Sequence, residues 1–255
     1  MKLLPSSLVI AAALAFCWGS ASAAGQPAAA HAKHPAHWSY SSASGPTHWS
    51  EIDEGNTACR TGQTQSPIDI RAKDGVKAPL PAIEFDYKPT ALKIIDNGHT
   101  IQVNYAAGSG ITVAGKRYEL LQFHFHKPSE ERIEGKSYPM VAHLVHKSQD
   151  GALAVVGVLI DKGAKLPVMQ AVFDNLPRRA GEEVAVPGVS IDIAALLPEN
   201  KAYYTYAGSL TTPPCSEGVT WFVLKNPSHL SVAQIAQFGH RYAMNARPVQ
   251  PLNGR

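Results

Sequence analysis

The residues best suited to chemistry are histidines. His124 and His126 lie in Gln122-Phe123-His124-Phe125-His126, and His143 lies in Ala142-His143-Leu144-Val145-His146. In a strand, a spacing of two puts both imidazoles of the first pair on one face, about 7 Å apart. Phe123 and Phe125 then turn to the other face. His143 falls in a second strand-like run, Met140 to Lys147. A long antiparallel return brings such a residue to about 5 Å from the first pair, across the ladder. Three neutral imidazoles meeting at one point suit zinc and leave a fourth coordination position open, as a catalytic site requires. His146 lies three residues beyond His143, faces the opposite way in a strand, and is not expected to share the metal. Taken singly, each histidine reads more readily as an ordinary core or surface residue.

Short alternating segments must position these side chains. Leu92 to Ile95, Thr100 to Tyr105, Ile111 to Val113, Arg117 to His126, Met140 to Lys147, Leu153 to Ile160 and Thr220 to Leu224 read as strands. Asp96-Asn97-Gly98, Gly108-Ser109-Gly110 and Asp150-Gly151 mark joints between them. Two helices are expected. One starts at Pro167, has Val168, Met169, Val172, Phe173 and Leu176 on one face, and stops at Pro177. The other opens with a Ser231/Gln234 capping box, buries Val232, Ile235 and Phe238, and ends its pattern at Gly239. The balance is mainly β, with few helices.

With 45% hydrophobic and 17% charged residues, the chain can build a sizeable core. Its net charge of +3 is small, and no basic stripe with interleaved aromatics suggests nucleic acid. Lys2, the apolar run Leu8 to Trp18 and the small residues Ala21-Ser22-Ala23 read as a signal peptide over residues 1–23. That run is too short to span a bilayer comfortably, so a periplasmic or secreted protein is expected and a membrane-spanning one is not. Cys17 follows an apolar triplet, as in a lipoprotein, but bulky Phe16 before it argues against that reading. Residues 24–36, rich in Ala, Pro and His, read as a flexible leader. Its histidines, with His37 just beyond, are too sparse for a strong metal tract. Residues 37–255 read as one domain without repeats or internal linkers. Removing the signal leaves Cys59 and Cys215. In an exported protein an even count suggests a disulfide, with two buried thiols as the alternative.

Several segments carry a resemblance. Gln65-Ser66-Pro67-Ile68-Asp69-Ile70, Gln122 through His126, Ser129-Glu130, Ala142 through His146, Tyr204-Thr205-Tyr206, Gly208 through Pro214, and Asn245-Ala246-Arg247-Pro248 occur in one order. From Trp38 to Leu252 the chain resembles the alpha-class carbonic anhydrases, in a bacterial, exported form. The resemblance implies a single α+β domain with a central, mostly antiparallel, twisted sheet of about ten strands and short peripheral helices. It implies a zinc lyase that converts CO2 and water reversibly to bicarbonate and a proton, by attack of zinc-bound hydroxide on CO2. His124, His126 and His143 would hold Zn(2+). His99, Glu130 and Thr211 would be catalytic: His99 as proton shuttle, Thr211 as the hydroxyl that gives its proton to Glu130 and so must accept from the nucleophile. Val145, Val155, Leu210, Thr212 and Trp221 would line the CO2 pocket. Tyr40, Asn97, Gln102, Gln122 and Asn245 would support the ligands and the proton path.

Two departures stand out. Familiar members place a glutamate two residues before the third ligand to hold its free N–H; here that residue is Val141, so His143 needs water, a backbone group or another side chain. Lys127-Pro128 stands where a tryptophan is usual after the zinc strand. On sequence alone, Glu130 beside Glu131 reads by default as a solvated loop carboxylate. Bacterial members are often dimers, which leaves a homodimer open. The rival readings are a catalytically silent binding domain of the same fold, disfavoured because all three histidines are present, and a zinc buffer based on the leader.

Overall fold

This computed structural model describes residues 37–255, and several of its strands alternate buried and more exposed side chains, as in Thr90–Asp96 and Ile101–Asn104. The signal peptide expected over 1–23 and the leader expected over 24–36 lie outside the described residues. The strands are β1 (Asp69–Ile70), β2 (Ile83–Asp86), β3 (Thr90–Asp96), β4 (Ile101–Asn104), β5 (Gly110–Val113), β6 (Lys116–His126), β7 (Arg132–Ile133), β8 (Met140–Ser148), β9 (Leu153–Lys162), β10 (Glu183–Ile191), β11 (Tyr203–Ser209), β12 (Glu217–Leu224) and β13 (Ser228–Leu230). The helices are α1 (Trp49–Ile52), α2 (Ala58–Thr61), α3 (Pro167–Phe173) and α4 (Val232–Arg241).

Among the described residues, eleven strands form one sheet, in line with the expected ten or so. Its main path runs β10-β3-β4-β6-β8-β9-β12-β11, with β2, β5 and β13 alongside. Pairing is antiparallel except where β9 meets β12 and β13. β1 and β7 make a small parallel pair of their own.

A bulge in β6 decides which face the histidines take. Leu120 pairs with His146 and Gln122 with Val145, so Leu121 is the extra residue. One inserted residue reverses the alternation. Tyr118 and Leu120 point into the main core before it, and Phe123 and Phe125 do so after it. Positions 122, 124 and 126 are thereby released to the opposite face. On the core side Phe125 packs against Phe173 of α3 and Phe238 of α4. The helices therefore cover the face that the histidines leave.

The expected capping box is present: Ser231 accepts from the Gln234 N–H while the Gln234 side chain returns to the Ser231 N–H. Gln234 also makes hydrogen bonds to both backbone groups of Leu166, tying α4 to the start of α3. Two expectations for α4 need correction. Val232 is 63% exposed, because the first residue of this helix faces solvent. Gly239 does not end the helix, which continues to Arg241. Among the described residues, no helix is long and apolar enough to cross a membrane.

Candidate metal centre

Register brings the histidines together. His124 of β6 pairs directly with His143 of β8, and Gln102 of β4 lies on the other side of His124. The nearest row carries Gln122, Val145, Val155 and Trp221 in direct register across four strands. Ring centroids are 5.0 Å apart for His124 and His126, 4.7 Å for His126 and His143, and 5.5 Å for His124 and His143. One nitrogen from each ring lies within 4.8 Å of the other two. Among the described residues, no cysteine or carboxylate completes the group to four.

Hydrogen bonds identify the nitrogen each ring has free. His124 Nδ1 lies 2.8 Å from Gln122 Oε1, and His126 Nδ1 lies 2.7 Å from the Asn245 carbonyl oxygen. Both partners accept, so both Nδ1 atoms carry the proton and both Nε2 atoms hold a lone pair. His143 is reversed: its Nε2 donates to the Glu131 carboxylate, 3.0 and 3.1 Å from the two oxygens, which frees Nδ1. His126 Nε2 is buried without any partner, which a protein interior tolerates poorly unless a ligand takes the lone pair. The donor set therefore fits a divalent cation with imidazole affinity, zinc foremost. Burial lowers the His124 pKa to about 3, helped by the His143 charge, and drives that of His126 well down for the same reasons. Both are neutral at pH 7 and free to ligate. Burial also pulls on His143, but the Glu131 charge and hydrogen bond, with Glu130, outweigh it and raise its pKa.

The carboxylates correct the default reading of a solvated loop. Glu130 and Glu131 are 2% and 0% exposed. Glu130 Oε1 accepts the Arg247 backbone N–H at 2.7 Å, and burial pushes its carboxyl up to about 7. The Thr211 hydroxyl is close enough to Glu130 to lower that value, yet Glu130 Oε2 has no formed hydrogen bond. Arg247 is itself locked, its guanidinium donating to Gln65 Oε1 and to the carbonyls of Ser66 and Cys59.

Asn245 is buried and acts as a junction. Besides serving His126, its side chain accepts from the Lys127 N–H and donates to the carbonyls of His99 and Phe125. His99 occupies the β3–β4 turn, where Asn97 Oδ1 accepts the N–H groups of His99 and Thr100. Asp96, buried, holds the same turn by accepting from Gly98 N–H, Arg241 and Tyr242. The His99 ring stacks on Trp38 at 3.5 Å, with His37 at 4.7 Å. Burial, followed by the His37 charge, lowers the His99 pKa to about 4, although Asp96 opposes this. Asn97 reaches Gln102 only at 3.5 Å, and Gln102 bonds Asn104 more closely, at 2.7 Å. The Tyr40 hydroxyl is buried without a partner.

Val145, Val155, Leu210 and Trp221 belong to one apolar cluster, and the Trp221 ring meets that of His143 at 4.8 Å. Thr212 is half-buried, and its carbonyl accepts the Cys215 N–H. Cys59 and Cys215 are joined by a disulfide. His146 lies away from the three, buried, with Nε2 at 2.9 Å from the Tyr87 hydroxyl. Sequence reasoning gave no role to Glu131, Arg247, Trp38 or His37. Arg247 stood inside a quoted motif; the others left no pattern to follow.

The chain belongs to the eukaryotic-type carbonic anhydrase family, whose model matches residues 44–255. A carbonic anhydrase from Nostoc sp. is 45% identical over 86% of this chain and 84% of its own length. One from Neisseria gonorrhoeae is 43% identical over 89% of each. The alpha-carbonic anhydrase from Thermovibrio ammonificans, solved with the inhibitor sulfanilamide, has a TM-score of 0.82 at 44% identity, covering 85% of this chain and 96% of that one.

Proposed function

We propose that this chain is a zinc-dependent carbonic anhydrase, converting CO2 and water reversibly to bicarbonate and a proton. The observation that carries the reading is the set of three committed imidazoles, two presenting Nε2 and one Nδ1 to a common point with no fourth protein ligand among the described residues. Bound zinc acidifies a water and acts as a Lewis acid, behaviour for which carbonic anhydrases are the standard example.

The chain's own residues supply the rest. Thr211 commits its proton to Glu130 and presents a lone pair to the attacking water, so the nucleophile points one way only. Arg247 N–H holds Glu130 ready for that donation. Val145, Val155, Leu210 and Trp221 offer CO2 an apolar surface beside the three histidines. Water loses one proton, its oxygen joins the carbon of CO2, and bicarbonate leaves. His99, on the turn fixed by Asp96 and Asn245, passes the proton outward, with Tyr40, Asn97 and Gln102 as polar neighbours of the path.

Stopped-flow CO2 hydration with zinc quantification tests the proposal. His143→Ala should remove zinc and activity together. A folded variant that keeps its full zinc content would refute the ligand assignment, and a wild-type protein that holds zinc without hydrating CO2 would favour a silent binding domain. We also propose export to a periplasmic or extracellular location. Lys2, the following apolar run and the disulfide support it. The homodimer that the resemblance leaves open is tested by light scattering.

A further inference from the structure

We propose that Glu131 is a positioning residue for His143: a loop carboxylate that fixes the ring's tautomer and angle and so strengthens the centre's hold on zinc. The inference rests on the three-histidine reading above. Its starting point is an asymmetry between the two strands. On β6 the residue two positions before His124 is Gln122, which shares its face and accepts its Nδ1–H. On β8 the corresponding residue is Val141, fully buried and without an acceptor. The His143 Nε2–H is nonetheless satisfied, by a residue from another segment.

Glu131 is 0% exposed, and among the described residues no other side chain or backbone N–H donates to its carboxylate. An unpaired carboxylate at that depth is strongly disfavoured. Its charge is therefore matched to the imidazole, and through the imidazole to whatever cation sits at Nδ1. The loop fixes it there. Ser129 Oγ donates to the Glu131 carbonyl at 2.8 Å, and the next two residues pair with β1 at Asp69 and Ile70. The preceding residue, Glu130, faces the Nδ1 side of the same ring, with Oε2 at 3.9 Å. Two consecutive carboxylates thus take opposite sides of one imidazole. Glu130 accepts the Arg247 N–H and faces Thr211; Glu131 serves the ligand.

The test uses the zinc-loaded full chain, chelator-driven zinc release, and nitrogen-15 spectra of the histidine rings. Glu131→Ala should release zinc about 10- to 100-fold faster and shift the His143 Nε2–H signal, with the His124 and His126 signals in place. Glu131→Gln, which keeps an acceptor but no charge and preserves shape, should retain that signal and release zinc at an intermediate rate. It also carries the test if the alanine variant fails to fold. Release within twofold of wild type in both variants would overturn the proposal. So would equally fast release from both with the His143 signal unmoved, since that pattern means general loosening. A wild-type protein without stoichiometric zinc would instead overturn the three-histidine reading.

Discussion

Removing the disulfide, by Cys59→Ser with Cys215→Ser, should have a large effect on stability. The bond joins positions 156 apart. In the chain-entropy relation a loop of that length restricts the unfolded chain by roughly 17 cal/mol/K, or about 5 kcal/mol at 25 °C. A domain of this size shifts its melting temperature by about 2–4 °C per kcal/mol, which gives a fall of roughly 10–20 °C. The site lies close to the bond. Cys59 lends its carbonyl to the Arg247 guanidinium, whose backbone N–H holds Glu130. Cys215 closes a turn on Thr212, next to Thr211. Its carbonyl also accepts from Gln65, another partner of the Arg247 guanidinium. Loss of the bond should therefore lower stability and loosen the alignment of Glu130. Calorimetry at fixed zinc concentration, on the oxidised, reduced and double-serine proteins, measures the first effect; bound metal must be held constant because it stabilises by mass action. A melting temperature lowered by less than about 3 °C, or two free thiols in the untreated protein, would refute the reasoning.

Four further outcomes are expected. Thr211→Val should keep zinc and fold while CO2 hydration drops about 100-fold, the scale for losing one oriented polar group at a reaction centre; an undiminished rate would remove Thr211 from the reaction. His99→Ala should slow turnover most in weak buffer and recover with added imidazole, whereas Trp38→Ala, by uncovering the ring, should raise the His99 pKa from about 4 and speed turnover in weak buffer; proton NMR titration reads the shift directly. His146, whose burial lowers its pKa to about 3, lies below its unfolded value of about 6.5. The unfolded chain therefore binds the extra proton in that window, and stability present above pH 6.5 is lost as the pH falls toward 3, by up to about 1.4 kcal/mol per pH unit. His146→Gln should flatten that dependence by one proton in denaturant unfolding at pH 7, 5.5 and 4.5.

The strands were legible where one face is buried. β3, β4, β6, β8 and β9 alternate or run apolar in ways that only a half- or fully covered strand explains. β10 was not, because it is an edge strand with exposed alternate positions and Pro187-Gly188 inside it, a pair that reads as a turn. The β6 bulge left no trace either, since Leu121 looks like any other strand residue. Yet it determines that Phe123 rather than Gln122 enters the core.

The site divides along the same line. What a strand places by its own period, such as Gln122 two residues before His124, follows from spacing. What a loop places depends on long-range packing that no local pattern encodes. The Asn245 carbonyl supports His126, but a backbone acceptor has no residue-type signature at all. Glu130 and Glu131 are the sharper case. Adjacent carboxylates repel, so their neighbourhood in sequence argues for solvent. In the fold each meets its own donor, Arg247 N–H for one and His143 for the other, and both are buried. Val141 was the one sequence clue that His143 needed a partner from elsewhere. An absent acceptor in a strand is thus informative in a way that an adjacent pair of acids is not, because it states a requirement that the rest of the chain must meet.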